Sequence, residues 1–205
     1  MPGVSSEIGY HSCAYWEVTY ADSSGKLEDW LQSYAVLRPH LVAHVAPAHA
    51  TLILGCGSSP LGEQLYDDGY HHLTSIDFSP TVIATMQARA TDRPGMIYRE
   101  MDARALAFGD QTFDAVIDKG TLDAIICSPE AELAVRECCE EVARVLKPDG
   151  VFLSISLASP RRRLAHLTRP EWGWSATVHT VPKKRTIDSD DPEANVNWVY
   201  VLSRR

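Results

Sequence analysis

Leu52-Ile53-Leu54-Gly55-Cys56-Gly57-Ser58-Ser59 is the stretch on which the fold turns. With Thr51 before it, the apolar run reads as a short buried strand that stops at Gly55. Ser59-Pro60 then supplies an N-cap residue with proline at the first helical position, opening a helix through Tyr66. A strand turning through two glycines into a helix lets backbone approach a ligand closely, with helix N-terminal amides facing it. On this stretch alone, a plain glycine turn stays open as a reading.

The same text repeats on both sides. Leu73 to Ile76 reads as a second strand ending at Asp77, and Ser79-Pro80 opens a helix to about Ala90. Met96–Glu100 and Phe113–Ile117 read as the third and fourth strands. Ser128-Pro129 opens the longest helix, to about Leu146, with Val135, Cys138, Val142, Val145 and Leu146 on its apolar side. Pro148-Asp149-Gly150 is a turn, and Val151–Leu157 a fifth strand. Strands alternating with helices in this way predict βαβ units and a parallel sheet. Upstream, residues 26–46 show helical spacing (Leu27, Trp30, Leu31, Tyr34, Leu37), with a kink or break expected at Pro39. Residues 1–14 are Gly- and Ser-rich and read as mobile. Downstream, Ser159-Pro160 caps a short helix through Leu167. Trp174–Val181 and Val196–Leu202, with no helix between them, are expected to pair antiparallel. Pro182–Asn195 reads as a surface loop.

Length and composition set the outer bounds. The chain has 205 residues, 45% hydrophobic and 22% charged, within the ordinary range for a globular protein and suggestive of one domain. A net charge of −8 argues against a wholly basic nucleic-acid binder. The charge is uneven: residues 161–205 hold nine basic and five acidic residues, whereas residues 1–160 hold ten and 22. The runs Arg161-Arg162-Arg163 and Lys183-Lys184-Arg185 are therefore expected to form a docking edge for a large partner. The five cysteines include no C-x-x-C pair, which predicts reduced thiols and a cytoplasmic setting. No signal peptide, membrane span or metal-binding pattern of histidines is read.

Four features bear on chemistry. The first is the Gly55-Cys56-Gly57 turn. The second is Asp77, 20 residues beyond Gly57 and placed to accept hydrogen bonds from a ribose diol. The third is Met101-Asp102-Ala103 after the third strand, where an acid can accept an adenine amine. The fourth is Asp118-Lys119-Gly120-Thr121-Leu122-Asp123-Ala124, a polar turn at the carboxyl edge of the sheet. Pro60 occupies the third glycine position of a dinucleotide fingerprint, so a nucleoside ligand without a pyrophosphate fits better.

Together these motifs resemble the class I methyltransferases that use S-adenosylmethionine. Val145-Leu146-Lys147-Pro148-Asp149-Gly150 is similar to that superfamily's helix-to-strand turn. Ile53 stands where the usual pattern has an acid. That departure and the Asp118-to-Ala124 turn resemble the elongation factor 1-alpha lysine methyltransferase group, which includes the methyltransferase-like 13 relatives. Tyr15-Trp16, Tyr20 and Asp29-Trp30 are similar to the group's aromatic N-terminal segment.

The resemblance implies an α/β fold: a Rossmann-like doubly wound, mostly parallel seven-stranded sheet with an antiparallel C-terminal strand. It implies one methyltransferase domain over 1–205. Residues 1–49 would close over the cofactor, 50–157 form the cofactor-binding core, and 158–205 carry substrate-side strands. Trp16, Tyr20 and Trp30 would pack on S-adenosylmethionine, with S-adenosylhomocysteine as its product. Gly55, Cys56 and Gly57 would line its cradle, and Asp77 and Phe78 would hold ribose and adenine. Asp102 and Ala103 would hold the adenine, and Lys119 would reach the cofactor. Asp118, with Asp123 behind it, is the candidate to orient a substrate lysine. The implied partner is a protein substrate such as elongation factor 1-alpha, without metal, membrane or direct nucleic-acid contact. A small-molecule N- or O-methyltransferase and a catalytically silent cofactor-binding scaffold are the alternatives.

Overall fold

In the computed structural model, which describes residues 9–23 and 25–204, strands and helices alternate through most of the chain. The strands are β1 (Thr51–Leu54), β2 (Leu73–Asp77), β3 (Met96–Glu100), β4 (Phe113–Lys119), β5 (Leu146–Ser156), β6 (Trp174–Pro182) and β7 (Val196–Arg204). The helices are α1 (Cys13–Asp22), α2 (Tyr34–Val42), α3 (Leu61–Asp67), α4 (Pro80–Arg89), α5 (Thr121–Ile125), α6 (Ala131–Val145) and α7 (Pro160–Leu167). The sheet order is β3-β2-β1-β4-β5-β7-β6. β1 to β5 run parallel, while β7 is antiparallel to both β5 and β6. The doubly wound seven-stranded sheet and its antiparallel C-terminal strands are as expected.

Adjacent side chains on a strand face opposite ways, so each central strand supplies two cores. Ile53, Ala115, Ile117 and Leu153 pack with Leu37, Leu41, Leu65 and Met86 on one side. Leu52, Leu54, Val116 and Phe152 pack with Val135, Cys138 and Val142 of α6 on the other. The strand order reverses between β1 and β4, and ligands in open α/β sheets bind at the carboxyl ends beside that point. The Gly55 turn and the Lys119 turn both leave the sheet there.

Several boundaries differ from expectation. Residues 26–46 are not one helix: 26–33 form a loop, and α2 begins at Tyr34 and carries Pro39 inside it. α1 lies partly in the segment read as mobile, whose residues 1–8 lie outside the described residues. α6 starts at Ala131 because α5 intervenes after β4, and Ser128 Oγ accepts the Glu130 N–H instead of capping α6. The Pro148-Asp149-Gly150 turn is a bulge inside β5, where pairing with β4 jumps from Phe113–Leu146 to Ala115–Val151.

Candidate active site

The Gly55-Cys56-Gly57 turn is built tightly. Both glycines take the left-handed conformation, at φ +47° and +51°. A Cβ on Gly55 would lie 2.3 Å from Thr121 Oγ1, and one on Gly57 would lie 2.8 Å from the Tyr20 hydroxyl. Glycine is required at Gly55 by space as well as by backbone angle. Asp77 ties this turn to the next: its Oδ2 accepts the Gly57 N–H at 2.9 Å and its Oδ1 the Ser79 N–H at 3.0 Å. Only 5% of Asp77 is exposed, and burial pushes its carboxyl up to about 6 against these hydrogen bonds.

Around this turn lies a cavity of about 360 Å³. Trp16, Tyr20, Trp30, Gly55, Cys56, Gly57, Asp77, Phe78, Asp102, Ala103, Lys119 and Asp123 all line it. Of the sequence-derived site residues, Asp118 alone is absent from its wall. The Trp16 and Tyr20 rings stack at 5.5 Å, and Trp30 meets Trp16 edge-on at 6.1 Å. Burial raises the Tyr20 phenol well above its ordinary range, so it is a neutral donor. α1 is pinned over the cavity by Glu17, whose Oε2 accepts the Thr81 hydroxyl at 2.7 Å and whose Oε1 accepts from Ser79 Oγ. Asp102 sits in a fork with Arg104: although burial opposes its ionisation, the Arg104 hydrogen bonds hold its carboxyl below the usual range.

Lys119 lines the cavity, and its ammonium is held within the wall. Its Nζ donates to Asp29 Oδ1 at 3.0 Å and to the Trp30 carbonyl at 2.9 Å. Burial lowers its pKa, opposed by Asp29. The loop bearing Trp30 is further held by Ser59 Oγ on Asp29, by Asn197 Nδ2 on the Leu31 carbonyl, and by Gln32 on the Pro182 carbonyl. Leu31 takes φ +60°, a strained angle for leucine that these contacts impose. Lys184 also bonds the Asp29 carbonyl, Lys183 Nζ the Ala194 carbonyl, and Arg163 is fully buried. Half of the two basic runs therefore serves the fold, leaving Arg161, Arg162 and Arg185 exposed.

The two acids of the 118–124 turn have different surroundings. Asp118 is fully buried: Oδ1 accepts the N–H groups of Thr121 (2.8 Å) and Leu122 (3.3 Å), and Oδ2 the Ser154 hydroxyl (2.6 Å). It caps α5 behind the left-handed Gly120. Asp123, in the first turn of α5, reaches the wall. Its Oδ1 accepts from Ser156 Oγ at 2.6 Å and from Arg163, and its Oδ2 accepts the Leu157 N–H at 2.9 Å. Burial pushes the Asp118 carboxyl up to about 6. An aspartate harder to ionise folded than unfolded costs stability at neutral pH, and the cost fades as pH falls through about 6 toward 4. Asp118→Asn removes that cost while keeping one acceptor. Urea unfolding from pH 7.5 to 4 should move the difference toward wild type by about 2 kcal/mol. A pH-independent difference would mean that Asp118 ionises normally.

Sequence reasoning passed over Tyr10, His11, Arg104, Cys127 and Leu157, and quoted Met101 and Thr121 within motifs without giving them a role; all seven also line the cavity. Leu157 follows the carboxyl end of β5, a position that the sheet-edge rule could have supplied. Tyr10 and His11 carry no such signal. A buried carboxylate ends β2, a second acid follows β3, and aromatic rings form the N-terminal wall. Among the described lining residues, Lys119 and Arg104 are already engaged, so neither is free for a pyrophosphate. This set fits a nucleoside with a cationic tail.

A family model described as a methyltransferase domain matches residues 52–154, half of the chain. The chain belongs to the methyltransferase domain family. This methyltransferase is 37% identical over 176 residues to mouse EEF1A lysine methyltransferase 4, covering 81% of this chain and 69% of that protein. It is 38% identical over 187 residues to human eEF1A lysine and N-terminal methyltransferase, covering 88% of this chain and 26% of that longer protein. Its fold matches that of Burkholderia thailandensis 1,6-didemethyltoxoflavin-N1-methyltransferase, solved with S-adenosylhomocysteine. That match has a TM-score of 0.65 at 20% identity, covering 100% of this chain and 93% of the other. Among the described residues, no group of three or more His, Cys, Asp or Glu could hold a metal, and no helix is long and apolar enough to cross a membrane.

Proposed function

We propose that this methyltransferase uses S-adenosylmethionine to methylate a lysine side chain of a protein, elongation factor 1-alpha, in the cytoplasm. The observation that carries the reading is Asp123: a carboxylate with remaining acceptor capacity in a cavity walled by aromatic and aliphatic side chains. The names of the relatives supply the protein and the residue type.

S-adenosylmethionine, when bound, supplies a methyl group on a cationic sulfur. Asp77 would accept the ribose hydroxyls, Asp102 and the Ala103 backbone would meet the adenine, and Phe78 would pack on it. Trp16, Tyr20 and Trp30 would exclude water and hold the cation against their ring faces. An incoming lysine is protonated at neutral pH, its unperturbed pKa being about 10.4, and it must lose that proton before it can attack. Asp123 would accept a hydrogen bond from the ammonium and orient it. The apolar walls disfavour the charge, and the proton leaves to solvent at the mouth, where Trp30 and Leu157 are 47% and 53% exposed. Catalysis is then largely positioning.

The test is incubation of the purified chain with labelled S-adenosylmethionine and a cell lysate. One labelled band of elongation-factor size is expected, with mass spectrometry finding the methyl on lysine. Label confined to small molecules would favour the small-molecule alternative, and no label anywhere the silent scaffold.

A further inference from the structure

Arg163 lies one layer behind Asp123 and is the largest fully buried side chain among the described residues. It sits in the first half of α7, whose N-cap residue is Ser159. Its Nη2 bonds Asp123 Oδ1 and approaches Ser156 Oγ at 3.3 Å. Its Nε and Nη1 have no hydrogen-bond partner. Burying a guanidinium with two of its three nitrogens unpaired is costly, and an apolar side chain of similar volume would serve the core better. A role beyond packing is therefore called for.

We propose that Arg163 is a positioning residue for the methyl-transfer reaction: it fixes Asp123 from behind and neutralises it, so that Asp123 orients the substrate amine without holding its proton. The geometry separates these two tasks. Oδ1 carries the two donors Arg163 and Ser156, whereas Oδ2 carries only the Leu157 N–H and keeps capacity for an incoming amine. Ser156 Oγ also accepts the Ala158 N–H, so the support at the end of β5 is itself tied to the segment leading into α7. A lone carboxylate beside a lysine favours the ammonium and opposes the deprotonation that attack requires. A carboxylate paired with a buried guanidinium presents little net charge. It still offers a directional acceptor.

The other titratable groups facing this pair are Asp118 from β4, Cys139 from α6, His166 from α7 and Tyr200 from β7. Glu132 and Arg169 flank His166. Among these groups Asp118 is the acid whose charge acts on Asp123, and its oxygens are already engaged by Ser154 and the α5 cap.

This inference rests on the amine reading of the cavity, and the experiment separates the two. kcat at saturating protein substrate, whose pH dependence reports groups in the bound complex, is measured with KM from pH 6 to 9.5 in wild type, Arg163→Met, Asp123→Asn and the double variant, with cofactor affinity measured by calorimetry. Arg163→Met is expected to move the acid limb of the profile about one pH unit upward. The loss is then about tenfold at pH 7, shrinks to under threefold at pH 9.5, and leaves cofactor Kd within twofold. In the Asp123→Asn background, Arg163→Met should neither shift the limb nor cost further activity. Should Arg163→Met not fold, Arg163→Lys carries the test: it keeps the charge but loses the planar fork, so the limb should stay while KM rises. An unshifted limb in Arg163→Met, a shifted limb in Arg163→Lys, or losses that add across the cycle would overturn the role of Arg163. An Asp123→Asn variant as active as wild type would overturn the amine reading itself.

Discussion

Asp77→Ala is expected to weaken binding of S-adenosylmethionine and S-adenosylhomocysteine by 100-fold or more, about 3 kcal/mol. Two losses combine. The ribose hydroxyls lose an ionised acceptor, and hydrogen bonds to charged groups are the stronger kind. The Gly57 and Ser79 N–H groups lose the oxygens that now accept them at 2.9 and 3.0 Å. Each buried N–H left unpaired costs about 1–3 kcal/mol, and the Gly55–Gly57 turn would loosen to find water. Asp77→Asn should be milder, about tenfold, because its one amide oxygen can serve one of the two N–H groups. Calorimetry with both ligands reads this directly. Unchanged affinity in Asp77→Ala would mean that the cavity beside β1 and β2 is not where the nucleoside binds.

How far the sequence could be read depends on where each residue finds its partners. β1, β2, β4 and β5 are largely buried runs and β3 an alternating one, set between Gly, Pro and cap residues, so their pattern is local and legible. Asp77 was legible through its spacing from Gly57, which the sheet register turns into a hydrogen bond. α1 was not legible: none of its residues is fully buried, and it is held by Glu17 reaching across to Ser79 and Thr81. The 26–33 loop was misread for the opposite reason. Leu27, Trp30, Leu31 and Tyr34 fall at helical spacing, but Lys119, Lys184 and Asn197, 90 to 166 positions away, bind its backbone and Asp29. Such long-range hydrogen bonds leave no periodic trace. The two acids of the 118–124 turn show the same limit. Only the left-handed Gly120 and the short helix after it turn Asp118 inward to the cap and bring Asp123 to the cavity.

Asp123→Asn is expected to lower kcat/KM for the protein substrate by about 10²- to 10³-fold while cofactor affinity stays within twofold. The amide cannot reproduce the charge-assisted hydrogen bond to an ammonium. It also has one acceptor atom where two are in use. With its oxygen toward Arg163 and Ser156, its NH₂ group faces the Leu157 N–H, donor against donor; turned over, it faces the guanidinium. Either way Arg163 loses its counter-charge while 0% exposed. An uncompensated buried charge costs about 3–5 kcal/mol, so the variant should also melt lower. That instability could be mistaken for the cause of the lost activity. Adding Arg163→Met separates them: it removes the orphaned charge, so the double variant should be more stable than Asp123→Asn alone yet no more active. Activity that returns with stability would assign Asp123 to the fold; stability that returns without activity assigns it to the substrate amine.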